Sequence, residues 1–110
     1  MIAIIEVTTK DREQALAIGR TLVHERLAAC VNVLDGVTSI YEWNGQLCEE
    51  REAILLAKSR HELVESAIER VKQLHTYECP CIVSWDIAQG SAAYLKWVEE
   101  QTNWALRHSS

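Results

Sequence analysis

The chain has 110 residues, of which 48% are apolar and 25% are charged, a balance typical of one globular domain and unlike that of a disordered chain. Its 16 acidic and 11 basic residues give a net charge of -5 without any cluster of Lys and Arg, which argues against nucleic acid and anionic membranes as partners. No apolar run approaches the ~20 residues of a membrane-spanning helix, and the N-terminal run reaches Glu6 too early for a signal peptide, so we expect a cytoplasmic protein.

A strand and a helix are the first predicted elements. Residues 2–8 form an apolar, β-branched run that predicts a buried strand. The period then changes between residues 11 and 26, where apolar or small residues recur at i, i+3, i+4 and i+7 and predict an amphipathic helix. The members of this stripe are Ala15, Ile18, Gly19 and Leu22.

A long β-hairpin is predicted next. Extended sequence runs from residue 28 to residue 43, and Asn44-Gly45 supplies the two positive-φ positions that a type I′ turn requires. The return strand is predicted over residues 46–58. Each arm is about twice as long as the mean strand of ~5 to 6 residues, so we expect the tip to extend beyond the core of one subunit.

The turn also predicts the register of the hairpin. With a two-residue turn, paired residue numbers sum to 89, which places Tyr41 opposite Cys48. We expect Asp35-Gly36 to bend or bulge the first arm. The tip mixes exposed apolar and aromatic side chains with glutamates, and such a ribbon usually finds another subunit, so we expect an oligomer.

A second helix, a strand and a final helix complete the chain. Ser59 and Glu62 have the spacing of a capping box, and the helix behind them repeats apolar residues from Val64 to Leu74. Pro80 prevents continuation of the helix, residues 81–87 read as a strand, and the last helix is predicted to open at Gly90-Ser91. Its expected apolar face comprises Tyr94, Trp97, Val98 and Trp104.

The order β-α-β-β-α-β-α predicts the fold. Its first six elements are the ferredoxin-like split β-α-β arrangement, an α+β fold with an antiparallel sheet and both crossing helices on one face, and the seventh is an added helix. We expect a single domain over residues 1–106 and a loose tail over residues 107–110.

The segment between the second helix and the last strand carries the most suggestive chemistry. An imidazole, a carboxylate and two thiols lie within residues 75–81, and such ligands suit copper or zinc. A structural role is the alternative, in which the histidine caps the helix and the thiols pack as small apolar groups. A redox pair is a second alternative, although a C-x-C disulfide is strained. The candidate metal ligands are His75, Glu78, Cys79 and Cys81.

No catalytic motif is recognisable elsewhere. The sequence lacks a serine nucleophile elbow, a phosphate-binding glycine loop and an H-E-x-x-H motif, so we expect a protein that is not an enzyme and carries no organic cofactor. The four cysteines are expected as reduced thiols because we find no signal peptide, and the hairpin register also argues against a disulfide between Cys30 and Cys48 within one subunit.

Several sequence segments, taken in order, resemble one protein family. They are residues 25–32 (ERLAACVN), residues 39–45 (SIYEWNG), Glu50 through Lys58, residues 75–80 (HTYECP) and residues 94–97 (YLKW). This set is similar to the CutA divalent-cation tolerance proteins over nearly the whole chain. The sequence departs from the family's usual pattern at Val7, Leu74, Thr76 and Cys81.

The resemblance implies a tight homotrimer with long hairpins that wrap neighbouring subunits, and a function in binding or tolerating copper(II) or another divalent cation. It also implies clefts between subunits that are lined by recurrent residues. An alternative function is a small-molecule sensor of PII-like shape that binds an anionic ligand in those clefts, and a third is a structural assembly factor. Apart from His75 and Glu78, the cleft residues carried over are Tyr41, Trp43, Glu50, Lys58, Tyr77, Pro80, Tyr94 and Trp97.

Overall fold

The structure is a computed structural model that describes residues 1–108. One antiparallel sheet of four strands, in the order β2-β3-β1-β4, forms the centre of the molecule. A 3₁₀ turn at His61–Leu63 follows β3. The elements are β1 (Ile2–Thr9), α1 (Arg12–His24), β2 (Cys30–Trp43), β3 (Gln46–Arg60), α2 (Val64–Leu74), β4 (Ile82–Asp86) and α3 (Ala92–His108). The predicted α+β order of elements is confirmed.

Helices α1 and α2 cover one face of the sheet and form the main core. Alternate residues of β1 and β3, among them Ile5 and Leu55, are buried against this helical layer. The stripe predicted on α1 is buried, as are Ala67 and Val71 of α2. Burial of each large apolar side chain contributes roughly 1.5–3 kcal/mol, so this layer is the main source of stability.

Local signals fix the ends of α1. The Asp11 side chain accepts a hydrogen bond from the Gln14 backbone N–H at 2.9 Å and so caps the first turn. The helix ends where Arg26 takes a positive φ of 62°, and the backbone N–H of Arg26 donates to the Val23 carbonyl. The chain then turns back into β2.

The predicted hairpin register is confirmed. Tyr41 pairs with Cys48, and a register shift lies between Leu34 and Val37, at the expected Asp35-Gly36 bulge. Because Gly36 has φ 71°, this position favours a residue without a side chain. The molecule measures 45 Å along its longest axis.

The predicted capping box is wrong. Ser59 belongs to β3, is fully buried, and its hydroxyl donates to the Leu27 carbonyl at 2.6 Å. The strand continues to Arg60, and the His61 backbone N–H then donates to the Met1 carbonyl. Hydrogen bonds to distant segments therefore replace the local cap, and α2 begins at Val64 without a side-chain cap.

The predicted apolar face of α3 is largely wrong. Val98 is buried, but its partners on the inner face are Thr102 and Ala105. Tyr94, Trp97 and Trp104 are exposed. The helix also runs to His108, so Arg107 and His108 lie in α3 rather than in the expected tail. Ser109 and Ser110 lie outside the described residues.

The second face of the sheet is covered by α3 at one end and by Tyr77 over Glu52. At its end of the sheet, α3 packs on Ile2, and the guanidinium of Arg60 donates to the Glu99 carbonyl. The remainder, which we call the open face, is exposed to solvent in the single chain, with Leu34, Val83 and Trp85 each 46–50% exposed. The strand register shows that the apolar members of the open face are Ile4, Leu34, Ile54, Leu56, Val83 and Trp85.

None of the helices in the described part of the chain is both long enough and apolar enough to cross a membrane.

Candidate functional site

The site begins with His75, which ends α2 and is 8% exposed. Its Nε2 lies 2.8 Å from the Thr8 carbonyl oxygen, and its Nδ1 accepts the Tyr77 backbone N–H at 3.0 Å. Because a carbonyl only accepts and an amide N–H only donates, Nε2 carries the proton and Nδ1 is bare. Both ring nitrogens are therefore occupied. Nε2 fastens residues 75–81, the α2–β4 loop, to the end of β1, and Nδ1 holds the turn within the loop.

Tyr77 is the second anchor of this loop. Its hydroxyl donates to Oε2 of Glu52 at 2.7 Å, and its ring lies 4.7 Å from the His75 ring, centroid to centroid. Glu52 is 7% exposed. Burial, and next the hydrogen bond to the Glu52 carboxylate, raise the pKa of Tyr77 above its ordinary value near 10. The phenol therefore stays protonated and remains a donor to the carboxylate.

A matching pair lies further out on the hairpin. The Tyr41 hydroxyl donates to Oε1 of Glu50 at 2.7 Å, and this hydrogen bond is the largest of the causes that raise the pKa of Tyr41 to about 12. Glu50 and Glu52 are two apart on β3, so they share the face to which Tyr41 belongs. Two tyrosine–glutamate pairs therefore lie side by side on the same face of the hairpin.

The remaining predicted metal ligands lie on the outside of the loop. Glu78, Cys79 and Cys81 are exposed, and both cysteines are free thiols. The Cys81 carbonyl accepts the Thr8 backbone N–H at 3.1 Å, which fixes the chain at the second thiol. Within residues 1–108, no three side chains of His, Cys, Asp or Glu are gathered closely enough to hold a metal ion, so these candidates do not form a preformed cage.

A second cluster lies at the opposite end of β3. Lys58 contacts the Asn32 side-chain oxygen, and Cys30 is the cross-strand neighbour of Lys58. Burial is the main cause that raises the pKa of Tyr94, and the nearby Cys30 is the next. The Tyr94 ring stacks on Trp97 with centroids 5.8 Å apart.

The structure therefore divides the predicted cleft residues into two groups and a remainder. One group contains Tyr41, Glu50 and Tyr77 beside the metal-ligand loop, and the other contains Lys58, Tyr94 and Trp97. Glu52 and Lys58 are six positions apart on β3, about 20 Å at the rise of a strand. Trp43 is at the hairpin tip, 66% exposed, and Pro80 is half-buried between the two thiols of the loop.

Sequence reasoning missed the partners that orient these groups. Glu52 holds Tyr77, the Thr8 carbonyl holds His75, and Asn32 holds Lys58. Of these partners, only Glu52 could have been predicted from the sequence, because it lies two residues from Glu50 and residues two apart in a strand share a face. The other partners come from β1 and β2, far away in sequence.

Known proteins resemble the chain over most of its length. The family model described as CutA1 divalent ion tolerance protein matches residues 3–101. The divalent-cation tolerance protein CutA of Thermus thermophilus is 44% identical over 93% of this chain and 99% of its own length. A solved structure of the Thermus thermophilus protein has a TM-score of 0.89 with this chain, at 44% identity, covering 93% of this chain and 99% of that one.

More distant relatives with the same family name also match most of the chain. The crystal structure of CutA from Xylella fastidiosa has a TM-score of 0.89 at 37% identity, covering 92% of this chain and 97% of that one. The chloroplastic protein CutA of Arabidopsis thaliana is 36% identical over 90% of this chain, which spans 54% of that protein's length. The chain belongs to the CutA1 divalent ion tolerance protein family.

Proposed function

We propose that this chain is a homotrimeric, non-enzymatic protein that binds a divalent metal ion, copper above all, in the cytoplasm. The observation that carries the proposal is the α2–β4 loop, where two exposed thiols lie two residues apart on a segment fastened at both ends. Thiolates are preferred ligands of copper and zinc. The family's description as a divalent ion tolerance protein supports the same chemistry.

The hydrogen bonds of the loop assign different roles to the candidate ligands. Cys79 and Cys81 are accessible donors, and Glu78 beside them offers a carboxylate oxygen. His75 becomes a ligand only if it releases the Thr8 carbonyl or the Tyr77 N–H. We therefore assign the metal to the two thiolates first, with Glu78 next, and give His75 the role of positioning the loop.

Metal binding is tested by competition between the protein and a chromophoric chelator for zinc(II), which, unlike copper(II), does not oxidise thiols. We expect C79S/C81S to weaken the affinity by at least about tenfold, since loss of mere supporting contacts around a metal already costs roughly 10–100-fold. Cys48→Ser makes the same change on the hairpin and is the matched control. Equal affinity in all three proteins would contradict the assignment of the ligands.

The trimer is proposed because the chain exposes apolar surface in two places. The open face carries an aromatic ring and several branched aliphatic side chains, and the hairpin tip exposes Ile40, Trp43 and Leu47. Exposed apolar side chains grouped in this way mark contacts between subunits. A second copy of the chain supplies a complementary surface, because the hairpin and the open face are present on every subunit.

Sedimentation equilibrium tests the assembly. We expect Trp85→Lys to dissociate the trimer, because a lysine on the open face would lose its hydration in the contact. Trp43→Ala should weaken the assembly if the hairpin tip lies on a neighbouring subunit. Trp104→Lys introduces the same charge on α3, away from the open face, and is the control. A monomeric wild-type protein would refute the assembly.

The second cluster favours an alternative function in small-molecule sensing. Lys58 supplies a cation, and the stacked Tyr94 and Trp97 supply an aromatic wall next to it. An anionic ligand in a cleft between subunits would use all three. A thermal-shift screen of nucleotides and carboxylates should then show stabilisation that Lys58→Gln abolishes. Absence of stabilisation across the screen would remove this alternative.

A further inference from the structure

A groove lies between the C-terminal ends of α1 and α3. It has a volume of about 680 Å³, and its walls include His24 and Arg26 from the first helix end and Gln101, Trp104 and Arg107 from the second. A neighbouring hollow shares His24 and Trp104 and adds His108. The groove shares no residue with the α2–β4 loop or the open face, so it is independent of the proposed function.

The indole of Trp104 is a fixed but accessible wall of this groove. The buried side of α3 consists of other residues, and Trp104 remains 58% exposed. The His108 ring stacks on the indole with centroids 4.2 Å apart and an angle of 19° between planes. The His108 Nδ1 also lies 2.7 Å from the Trp104 carbonyl oxygen, which fixes the stacked ring. An exposed, oriented indole is a stacking surface for a planar ligand.

Two guanidinium groups lie along the same groove. Arg26 is held in place because its Nη1 donates to Oε1 of Gln101 at 2.7 Å. Within residues 1–108, no carboxylate forms an ion pair with Arg26 or Arg107. On a chain whose net charge is -5, two guanidinium groups without a carboxylate partner beside an exposed indole form a local anion-attracting surface.

Two features oppose an anion in the groove. Glu100 lines it, and both helices direct the negative ends of their dipoles towards it. The second effect is reduced at α1, where the backbone N–H groups of Glu25 and Arg26 occupy the last carbonyls. The Glu25 carboxylate is itself neutralised by Arg70, which donates through Nε and Nη2, each at 2.9 Å. The guanidinium groups therefore remain the stronger local charge.

We propose that this groove binds a nucleoside phosphate, with the base stacked on Trp104 and the phosphate held by Arg26 and Arg107. Guanidinium groups match the geometry of phosphate oxygens, and aromatic side chains stack on any base. The volume is within the usual range of small-molecule sites. Phosphate alone lacks the stacking contact and a nucleoside alone lacks the charge contact, so each part should bind more weakly than the whole.

Isothermal titration calorimetry on the full chain, in low salt, tests the proposal with adenosine monophosphate, adenosine and inorganic phosphate as separate probes. We expect the monophosphate to bind tightest. Arg107→Gln should weaken it at least about fivefold through the lost charge-assisted contact, and Trp104→Ala roughly 5- to 150-fold through lost stacking. Lys96→Gln removes an equal charge from α3 outside the groove and should leave the affinity unchanged.

Three results would overturn the proposal. They are no heat of binding for the monophosphate at millimolar concentration, equal affinity for the monophosphate and inorganic phosphate, and wild-type affinity in both groove variants. Circular dichroism of each variant establishes that the fold is retained, and since Arg107→Gln and Trp104→Ala change exposed side chains by different chemistry, failure of one to fold leaves the other as the test.

Discussion

Replacing Tyr77 with Phe removes one oxygen atom and one hydrogen bond from the loop. The acceptor is the carboxylate of Glu52, at 2.7 Å and 7% exposed. A hydrogen bond to a charged group contributes about 1.5–3 kcal/mol, and a buried acceptor left without its donor keeps the cost of its desolvation. We therefore expect Tyr77→Phe to lower the free energy of unfolding by about 1.5–3 kcal/mol.

Tyr41→Phe is the matched control. The Tyr41–Glu50 hydrogen bond has the same length, 2.7 Å, but both residues are exposed, so water replaces the lost partner. The assay is urea unfolding at one fixed protein concentration, because assembly makes stability depend on concentration. We expect a clear loss for Tyr77→Phe and a much smaller one for Tyr41→Phe. Equal losses would refute the claim that burial of Glu52 makes Tyr77 the anchor.

Three further predictions concern charge, packing and the loop. The Glu50 hydrogen bond is the main cause that raises the pKa of Tyr41 to about 12 in the folded chain, so the stability that it contributes is present below pH ~10 and lost between pH ~10 and ~12. Glu50→Gln should therefore shift the phenolate absorbance of Tyr41 in the near ultraviolet to lower pH, and an unchanged titration would contradict this. Gly19→Ala should lower the free energy of unfolding in urea by up to about 2 kcal/mol, because a Cβ there would lie 2.9 Å from Val31 Cγ1. This overpacking outweighs the gain of about 1 kcal/mol in helix propensity that alanine brings. A more stable variant would contradict the close packing. His75→Ala should make the α2–β4 loop exchange its amide hydrogens faster, because the loop loses both hydrogen bonds of the ring. Thiol-dependent zinc(II) binding should persist. Complete loss of zinc(II) binding in a folded variant would instead show that His75 is a ligand.

The sequence predicted the elements whose causes are local. Asn44-Gly45 determines the turn and with it the register of the hairpin tip, and the apolar stripe of α1 determines which side of that helix is buried. The bulge was expected at Asp35-Gly36 for the same reason, because a glycine permits a positive φ. These features need no knowledge of distant residues.

Both failures depend on tertiary contacts that the sequence does not show. Ser59 has the correct spacing for a cap, but the Leu27 carbonyl takes its hydroxyl and keeps it in β3. On α3, the aromatic residues were expected inside, yet a helix at the end of a sheet buries only the narrow side that the sheet reaches. Hydrophobicity alone does not state which aromatic side chains have a partner within the same chain.

The metal site on residues 75–81 stays a prediction. The structure shows that the two thiols of this loop are exposed, as a ligand requires. The sequence did not show that Thr8 and the Tyr77 N–H occupy both nitrogens of His75, because one of these contacts spans 67 residues. Nor did it show that Glu52, 25 residues away from Tyr77, anchors the loop.

Native mass spectrometry with copper(II) and zinc(II) in parallel is the most direct test of the proposed function. We expect a homotrimer that holds one ion per chain, retains it against a modest chelator, and loses it in C79S/C81S but not in Cys48→Ser. Zinc(II) controls for oxidation of the thiols by copper(II). A trimer that holds no ion, or one whose ion count is the same in C79S/C81S, would contradict a metal site on the α2–β4 loop.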